Sequence, residues 1–335
     1  MGGGGREELF LPVVLVVKPS GDERIFDIGI VGGGPAGLSA AIWSARYLHS
    51  VALVDSGDPR NWETRGIHGF LGFEGVRPAE LRGHGRDLCR QMGVKLVDAI
   101  VLRADRVSDE QFMLCIEGGG RIMTRRLLLA IGLRDVWPDI PGLEHVYGSN
   151  AHVCPDCDGY ESRGKKIVVV GHGRRAVGMA LNLATWSDDI IICTNGRSPE
   201  MDDAEYCDKL DALNIPVLTS PIERVCYEGH AIYCLKLEDG MQLDADKIFF
   251  TIGQYPADDL CAQIGCERDD EGHTIVDARQ QTSVLNVYAA GDITPGPQLA
   301  ITAAAEGATA ALAMHRSLVP DAKKLAARTR TAALR

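Results

Sequence analysis

The sequence predicts an α/β protein built from two Rossmann-like nucleotide-binding domains, each a three-layer ββα sandwich. The first observation is composition: 45% of the residues are hydrophobic and 38 are glycine, a mixture typical of α/β proteins with many tight turns. The second is that a strand, a glycine-rich turn and a helix follow one another twice, first from Arg24 and again from Lys166. Third, a chain of 335 residues has room for two domains of ordinary size.

Charge and hydropathy exclude several classes of partner. The formal net charge of −11 argues against nucleic acid and against an anionic membrane surface, because both are bound through clustered Lys and Arg. The apolar run 9–17 is far shorter than the ~20 residues of a membrane span, and we expect an extra strand or a packing arm there. No secretory signal is recognisable, so we expect a cytoplasmic protein.

The first glycine turn has the pattern of a dinucleotide-binding site. Gly32, Gly34 and Gly37 form Gly-x-Gly-x-x-Gly directly after an apolar run of strand length, and a helix is predicted to run to about Leu48. The first glycine permits the tight turn, the second lets the backbone approach a pyrophosphate, and the third allows close helix–strand packing. The helix N-terminus then offers amide donors to phosphate.

Acidic residues at the ends of two further strands complete this unit. The strand 51–54 is followed by Asp55, about 20 residues beyond the glycines, where an acid binds a ribose diol. Near the other end of the chain, 286–290 is predicted to be a short buried strand followed by Gly-Asp. This aspartate, Asp292, precedes Gln298 and a helix of small residues. It is placed either to meet a cofactor's polar chain or to act as a helix cap or turn residue.

The second glycine turn lacks the residues that select a nicotinamide dinucleotide. Gly171, Gly173 and Ala176 form Gly-x-Gly-x-x-Ala after a second apolar strand. The next strand ends at 194–196, Thr-Asn-Gly, which contains neither an acid for an NAD ribose nor an arginine cluster for a 2′-phosphate. The turn also contains Arg174 and Arg175. These arginines either bind a phosphate or fill the space that a pyrophosphate needs.

Two cysteines separated by two residues lie between the glycine turns. Cys154 and Cys157 can close a small disulfide that exchanges readily with other thiols, and one sulfur can sit at a helix N-terminus, where its pKa falls. The alternative is half of a zinc site, but the chain has no second Cys-x-x-Cys and no His-x-x-x-His pair. Redox chemistry is therefore favoured, and no metal is expected. The other cysteines are predicted to be core residues: Cys89, Cys115, Cys193, Cys207, Cys226, Cys234, Cys261 and Cys266.

The order of these motifs resembles the low-molecular-weight thioredoxin reductase family. The motifs are Gly-Gly-Gly-Pro-Ala-Gly, Cys-x-x-Cys-Asp-Gly, Gly-x-Gly-x-x-Ala, Ile-Gly-x-x-Pro and Ala-Gly-Asp, and the match spans about Arg24 to Ser317. The resemblance implies a homodimer and an FAD domain in two pieces, with a pyridine-nucleotide-type domain inserted between them. The corresponding boundaries are an N-terminal arm 1–23, FAD-domain pieces 24–148 and 277–320, an inserted domain 149–276 and a basic tail 321–335.

By motif position, the resemblance also implies roles for individual residues. Cys157 would face the flavin, Cys154 would exchange with the substrate disulfide, and Asp158 would be the general acid that protonates the departing thiolate. The residues expected at FAD are Gly32, Gly34, Pro35, Ala36, Gly37, Asp55, Arg60, Asn61, His68, Gly69, Gly132, Gly291, Asp292, Gln298 and Leu299. Those expected at a second nucleotide, in the inserted domain, are Gly171, Gly173, Arg174 and Arg175.

Two departures from the family pattern bear on the electron donor. Members that use NADPH have His-Arg-Arg where this chain has 194–196, and Arg-Gln where it has Pro297-Gln298. Losing three cationic contacts to a 2′-phosphate, each worth about 1.5–3 kcal/mol, predicts no strong preference for NADPH. The remaining candidates are ferredoxin or another electron carrier, and a second flavin or other nucleotide bound in the inserted domain.

The sequence leaves three functions open. The favoured one is a flavin-linked reductase that passes electrons through the cysteines to a thioredoxin-like protein. The second is an oxidase that closes disulfides in small dithiols with oxygen; such oxidases share the Cys-Pro-x-Cys-x-Gly-Tyr-Glu stretch but usually have His in place of Asp158. The third is a flavin-binding redox sensor without turnover. The basic tail is either a frayed terminus, or a flap or docking arm for an acidic electron carrier.

Overall fold

The computed structural model describes residues 24–60, 63–200, 203–251 and 253–325. The predicted N-terminal arm, Asn61 and the tail beyond 325 therefore lie outside the described residues. Among the described residues, no helix has the length and apolar character that a membrane crossing requires.

The strands are, in chain order, β1 (Ile25–Val31), β2 (Val51–Asp55), β3 (Lys95–Asp98), β4 (Val101–Ser108), β5 (Gln111–Ile116), β6 (Arg121–Leu129), β7 (Leu133–Asp135), β8 (Ala151–His152), β9 (Ile167–Val170), β10 (Ile190–Cys193), β11 (Val217–Leu218), β12 (Ile222–Glu228), β13 (Ala231–Leu237), β14 (Gln242–Asp244), β15 (Lys247–Phe250), β16 (Gln254–Pro256) and β17 (Val287–Ala289). The helices are α1 (Pro35–Arg46), α2 (Pro78–Gln91), α3 (Pro155–Asp158), α4 (Gly173–Leu183), α5 (Ala204–Ala212), α6 (Leu260–Ile264) and α7 (Ala300–Leu318).

The first sheet is a Rossmann-type sheet with an antiparallel extension. β3, β2, β1 and β6 lie side by side and run parallel, and β17 joins the C-terminal half of β6. The N-terminal half of β6 pairs instead with β5, which pairs with β4 in an antiparallel meander. β2 is buried along its whole length, as expected of a parallel strand covered on both faces. Alanine-rich faces of α1 and α7 pack together over this sheet.

The second sheet is wholly parallel, in the order β11-β10-β9-β15-β8, and α4 follows β9 just as α1 follows β1. All of its strands lie between β6 and β17 in the chain, so the second unit is inserted into the first. The antiparallel sheet of β12, β13 and β14 shares an apolar core with it. The predicted fold class, two Rossmann-like α/β units with one inserted in the other, is confirmed. The domain boundaries themselves stay a prediction.

Two short strands connect the units. β7 follows β6 of the first unit, and β16 follows β15 of the second. They pair antiparallel over three residues each, Leu133–Asp135 with Gln254–Pro256. The two crossings of the chain between the units therefore run side by side.

One expectation about local structure is close and another is wrong. The helix α1 ends at Arg46, two residues before the expected end near Leu48, because Leu48 adopts a left-handed backbone conformation with φ 62° that a helix cannot continue through. Cys207 is exposed rather than in the core, because it lies on the outer side of α5, whose buried residue is Leu210. Of the other cysteines expected in the core, Cys115 and Cys226 are half-buried and the rest are buried.

Changing Gly307 to alanine should loosen the contact between α1 and α7. A Cβ at this position would overlap the carbonyl oxygen of Ala36. We expect the free energy of unfolding, measured in urea, to fall by about 1–3 kcal/mol, the usual cost of overpacking. Gly83→Ala, in α2, is the matched control, because a Cβ at this position would have no neighbouring atom within 4 Å. It should raise the free energy of unfolding by up to about 1 kcal/mol through helix propensity. Equal changes in the two variants would contradict the close contact.

Candidate active site

A cavity of about 760 Å³, here called the central cavity, lies between the two units. One wall is the first glycine turn with the start of α1, and another carries Cys154 and Cys157. Its volume is in the range of about 300–1,000 Å³ that ligand pockets occupy. A ligand held by the turn and extending along the cavity would therefore meet the two cysteines.

The first glycine turn is shaped to receive a phosphate. Gly32 has φ 103°, and a Cβ there would overlap the carbonyl oxygen of Ala130. Gly37 does not line the cavity; its missing side chain lets α1 pack against the carbonyl of Gly32. Gly34, by contrast, faces open space, since no atom lies within 4 Å of the place its Cβ would take. The amides at the start of α1 are thus open to the cavity, as a pyrophosphate requires.

Asp55 ends β2 where a ribose-binding acid is expected, but other groups of the chain already hold it. It accepts hydrogen bonds from the backbone N–H of Gly33 at 3.1 Å, from Arg82 at 2.5 Å and from Arg86 at 3.1 Å. The aspartate is only 7% exposed. A carboxylate accepts about four hydrogen bonds, so about one position is left for a ribose hydroxyl. Sequence reasoning missed both arginines, although their spacing of four puts them on one side of α2.

Arg60, at the cavity wall, binds three side chains that are distant from it in the sequence. Its guanidinium pairs with Asp135 of β7 at 2.7 Å and with Asp292 after β17 at 3.0 Å, and it donates to Gln298 at 2.8 Å. Burial opposes the charge of Arg60, but the bonds to Asp135 and Asp292 outweigh it and raise the pKa of the guanidinium. Gln298 in turn donates to Gln254 of β16 at 3.0 Å. This set of contacts joins the first unit to the connecting strands.

The other residues expected at FAD also line the central cavity: Pro35, Ala36, His68, Gly69, Gly132, Gly291, Asp292, Gln298 and Leu299. His68 and the N–H of Gly69 both bind the Glu74 carboxylate, at 2.7 and 2.9 Å. The N–H of Gly291 donates to Glu306 of α7 at 2.7 Å, and burial raises the pKa of Glu306. The structure therefore brings every described FAD candidate to this cavity except Gly37, which lies outside the cavity and lets α1 pack against the turn.

Cys154 and Cys157 form a disulfide, with Cα atoms 5.3 Å apart. Cys154 caps the short helix α3, and Pro155 begins it. The backbone N–H of Cys157 donates to the sulfur of Cys154 at 3.1 Å. Both cysteines are half-buried on the cavity wall, so this wall can exchange electrons with a ligand in the cavity.

Asp158, the predicted general acid, has a partner that sequence reasoning missed. Its carboxylate lies 3.0 Å from Nδ1 of His152 in β8, and Nε2 of that ring lies 3.2 Å from Nζ of Lys247 in β15. Burial lowers the pKa of Lys247, opposed by the charge of Asp158. Burial also raises the pKa of the nearby Tyr147 phenol to about 12. A histidine two residues before the first cysteine, in a buried strand, was the only sequence signal for this cluster.

The second glycine turn is covered by side chains of its own unit. A Cβ at Gly173 would come within 3.0 Å of the Glu200 carboxylate. His172 contacts both that carboxylate and Arg197, at 3.2 Å each. Gly171 packs tightly against Thr251. Of the turn's two arginines, Arg174 is exposed and Arg175 lines a second cavity of about 500 Å³ beside α4 and β16.

The open first turn and the central cavity fit FAD. The cavity has room for a phosphate at Gly34, and its lining includes the ribose-end acid Asp55 and the disulfide. A dinucleotide turn and a disulfide on one cavity define a nucleotide-dependent disulfide oxidoreductase.

Comparisons with known proteins agree with this class. The model of the family described as "Pyridine nucleotide-disulphide oxidoreductase" matches residues 26–307, and the chain belongs to that family. The thioredoxin reductase tcpT of Claviceps purpurea is 31% identical, over 80% of this chain and 87% of that protein. Among solved structures, an oxidoreductase from Agrobacterium tumefaciens is 33% identical with a TM-score of 0.79, covering 88% of this chain and 99% of that one. A putative thioredoxin reductase TrxB from Bacillus anthracis is 28% identical with a TM-score of 0.81, covering 88% and 98%. The protein is a thioredoxin reductase-like, flavin-dependent disulfide oxidoreductase.

Changing Gly34 to valine should lower flavin affinity without unfolding the protein. Gly34 has an ordinary φ of −78°, so valine adds no backbone strain, but its methyl groups would fill the phosphate position. We expect FAD affinity, titrated on the apoprotein by fluorescence, to fall at least about tenfold, or about 1.4 kcal/mol. The control is Gly178→Val in α4, where a Cβ also meets no atom within 4 Å. Unchanged FAD binding by the Gly34 variant would place the cofactor elsewhere.

Proposed function

We propose that the protein, as a homodimer, moves electrons between bound FAD and an outside disulfide or dithiol by way of Cys154 and Cys157. The observation that carries the proposal is that the first glycine turn and this disulfide line one cavity. Bound FAD would supply the two-electron chemistry, while the chain's own residues bind, orient and exchange thiols. The outside partner we propose is a thioredoxin-like protein or a small disulfide; the similarity to two thioredoxin reductases supports the former.

Cys154 is proposed as the sulfur that exchanges with the partner. The hydrogen bond from the N–H of Cys157 stabilises a thiolate at Cys154 once the pair is reduced. Cys157 is then the sulfur that faces the flavin. Asp158, at the end of α3, would give its proton to the departing thiolate. A sulfur of ordinary basicity is a better leaving group when it leaves as the protonated thiol.

The donor is proposed not to be NADPH. The segment 194–196, which follows β10, offers no acid to a ribose and no arginine cluster to a 2′-phosphate. The carboxylate of Glu200 also occupies the space over Gly173, where a pyrophosphate would bring like charge against it. We propose that electrons arrive instead from an electron carrier such as ferredoxin or from a thiol, and we assign no second flavin or nucleotide to the covered turn.

A protein partner would require the inserted unit to move. Cys154 and Cys157 lie on the wall of the central cavity, where a cofactor and a protein cannot both reach them. The three-residue pairing of β7 with β16 is the natural hinge, and the bond from Gln298 to Gln254 is one contact that the movement would break. We therefore propose that the inserted unit rotates between turnovers.

A second candidate function is the oxidation of a small dithiol by oxygen. The second cavity borders Val153 and Pro155, on either side of Cys154, and includes the apolar side chains of Met179, Phe250 and Tyr255. A small apolar dithiol entering there would come next to the disulfide without any rotation. Oxygen consumption and peroxide release in the presence of dithiols distinguish this candidate from the reductase.

Anaerobic mixing with reductants tests the proposed donor. We expect both NADPH and NADH, followed through flavin absorbance, to reduce the flavin much more slowly than dithiothreitol. For NADPH, two missing 2′-phosphate contacts of about 1.5 kcal/mol each weaken binding about 100-fold. For NADH, the segment 194–196 offers no acid to the ribose. Dithionite serves as the control that the flavin can be reduced at all. Rapid bleaching by NADPH would overturn the proposal and make the inserted unit a working nicotinamide site.

Single-cysteine variants test the roles of the two sulfurs. In a Cys207→Ser background, which removes an exposed thiol, Cys157→Ser should form a stable mixed disulfide between Cys154 and a disulfide probe. Cys154→Ser should form it at least about tenfold more slowly, because the amide hydrogen bond that favours a thiolate is made to the sulfur of Cys154. Mass spectrometry after mixing with oxidised thioredoxin measures both. Faster trapping by the Cys154 variant would reverse the assignment.

A further inference from the structure

We infer that His152 and Lys247 are positioning residues that orient Asp158 for proton transfer to the departing thiol. The inference rests on the proposed function, in which Asp158 is the proton donor. It adds two residues from different strands of the inserted unit, neither of which belongs to the Cys-x-x-Cys motif.

The three side chains form one continuous row. Asp158 Oδ1 lies 3.0 Å from Nδ1 of His152, and Nε2 of His152 lies 3.2 Å from Nζ of Lys247. Lys247 also donates to the carbonyl oxygen of Ser149 at 2.9 Å. The side chain of His152 is 6% exposed and that of Asp158 is 17% exposed, so water competes little for these bonds.

With Lys247 as an ammonium, the row allows one arrangement of protons. An ammonium has donors and no acceptor, so Nε2 of His152 must accept from Lys247. The ring proton is then on Nδ1, which donates to the Asp158 carboxylate. One carboxylate oxygen is thereby committed to His152, and the other is left to carry a proton to the cysteines. Lys247 fixes the tautomer of the ring, and the ring fixes the orientation of the carboxylate.

Neighbouring groups hold the row in place. The ring of Phe249, also in β15, lies 5.4 Å from the His152 ring and limits its rotation. Burial lowers the pKa of Lys247, whereas the charges of Asp158 and Glu161 oppose this shift and favour the ammonium form.

The proposed step balances as follows. The Cys154 thiolate attacks one sulfur of the outside disulfide, the old S–S bond breaks, and the departing thiolate takes the proton of Asp158. Asp158 then accepts the proton of the Cys157 thiol. Cys157 attacks the Cys154 sulfur of the mixed disulfide, and the second departing thiolate takes that proton. The protein dithiol is oxidised by two electrons, and the outside disulfide is reduced to two thiols.

Two probes with different leaving groups separate proton transfer from structure. Bis(2-hydroxyethyl) disulfide releases a basic thiolate that needs a proton, whereas 5,5′-dithiobis(2-nitrobenzoic acid) releases a weakly basic one that leaves without it. Chemically reduced holoprotein in the Cys207→Ser background is mixed anaerobically with each probe. Alkylation of remaining thiols and mass spectrometry then give the rate at which Cys154 and Cys157 are oxidised.

We expect Asp158→Asn to slow the reaction of the hydroxyethyl probe by about 100-fold or more, the usual contribution of general acid catalysis. His152→Leu should slow it by about tenfold and leave the nitrobenzoate probe within about twofold. Lys247→Met should act in the same direction. His152→Gln should react with the hydroxyethyl probe within about threefold of the parent rate, because an amide can accept from Lys247 and donate to Asp158.

Two variants serve as matched controls: His145→Leu and Lys166→Met. Their wild-type side chains are half exposed and lie outside the row.

The double variant decides the question. If His152 acts through Asp158, adding His152→Leu to Asp158→Asn should slow the hydroxyethyl probe no further. Full additivity in the double variant, or equal slowing of both probes by His152→Leu, would overturn the inference while leaving the role of Asp158 intact. An Asp158→Asn variant as fast as the parent would instead refute the proton donor of the proposed function, and this inference with it.

Discussion

The arrangement of the molecule depends on one half-buried cation, Arg60. Arg60 binds an aspartate of a connecting strand, an aspartate after the last strand of the first sheet, and Gln298 at the start of α7. These acceptors are far apart in sequence, and each would be left partly unsatisfied in the cavity wall without the guanidinium. Arg60 therefore joins two distant segments of the first unit beside the cofactor site. It also holds the connecting strand β7 against that unit.

The two glycine turns show what local sequence determines and what it does not. In both, a buried strand leads through glycines into a helix, and the sequence predicted both units and the fold class. Whether each turn is open depends on residues elsewhere in the chain. Gly34 meets no atom within 4 Å of a built Cβ, while Gly173 lies under the Glu200 carboxylate. Glu200 follows the second strand of its unit by several residues, and nothing in the turn's own pattern indicates its position.

Most residues of the candidate site could be predicted because the motif that contains them also sets their position. The glycines, Asp55 and Asp292 stand at strand ends, and parallel strands bring their ends to one edge of a sheet. Contacts between side chains from separate strands could not be predicted in this way. The arginine partners of Asp55 lie on α2, the histidine partner of Asp158 lies on β8, and the lysine that contacts this histidine lies on β15. Their geometry follows from the register of the sheets, which depends on the whole fold. Cys207 shows the converse: the general tendency of cysteines to be buried did not indicate which face of its helix is covered.

The bond between Gln298 and Gln254 joins two uncharged amides. An amide pair is nearly indifferent to dissolved salt, whereas the approach of a charged carrier to a chain of net charge −11 depends on it strongly. Ionic strength therefore acts on the encounter with a partner far more than on the opening of this amide contact. A protein with this arrangement can meet acidic or basic carriers at very different rates in the same cell while breaking that contact at one and the same rate.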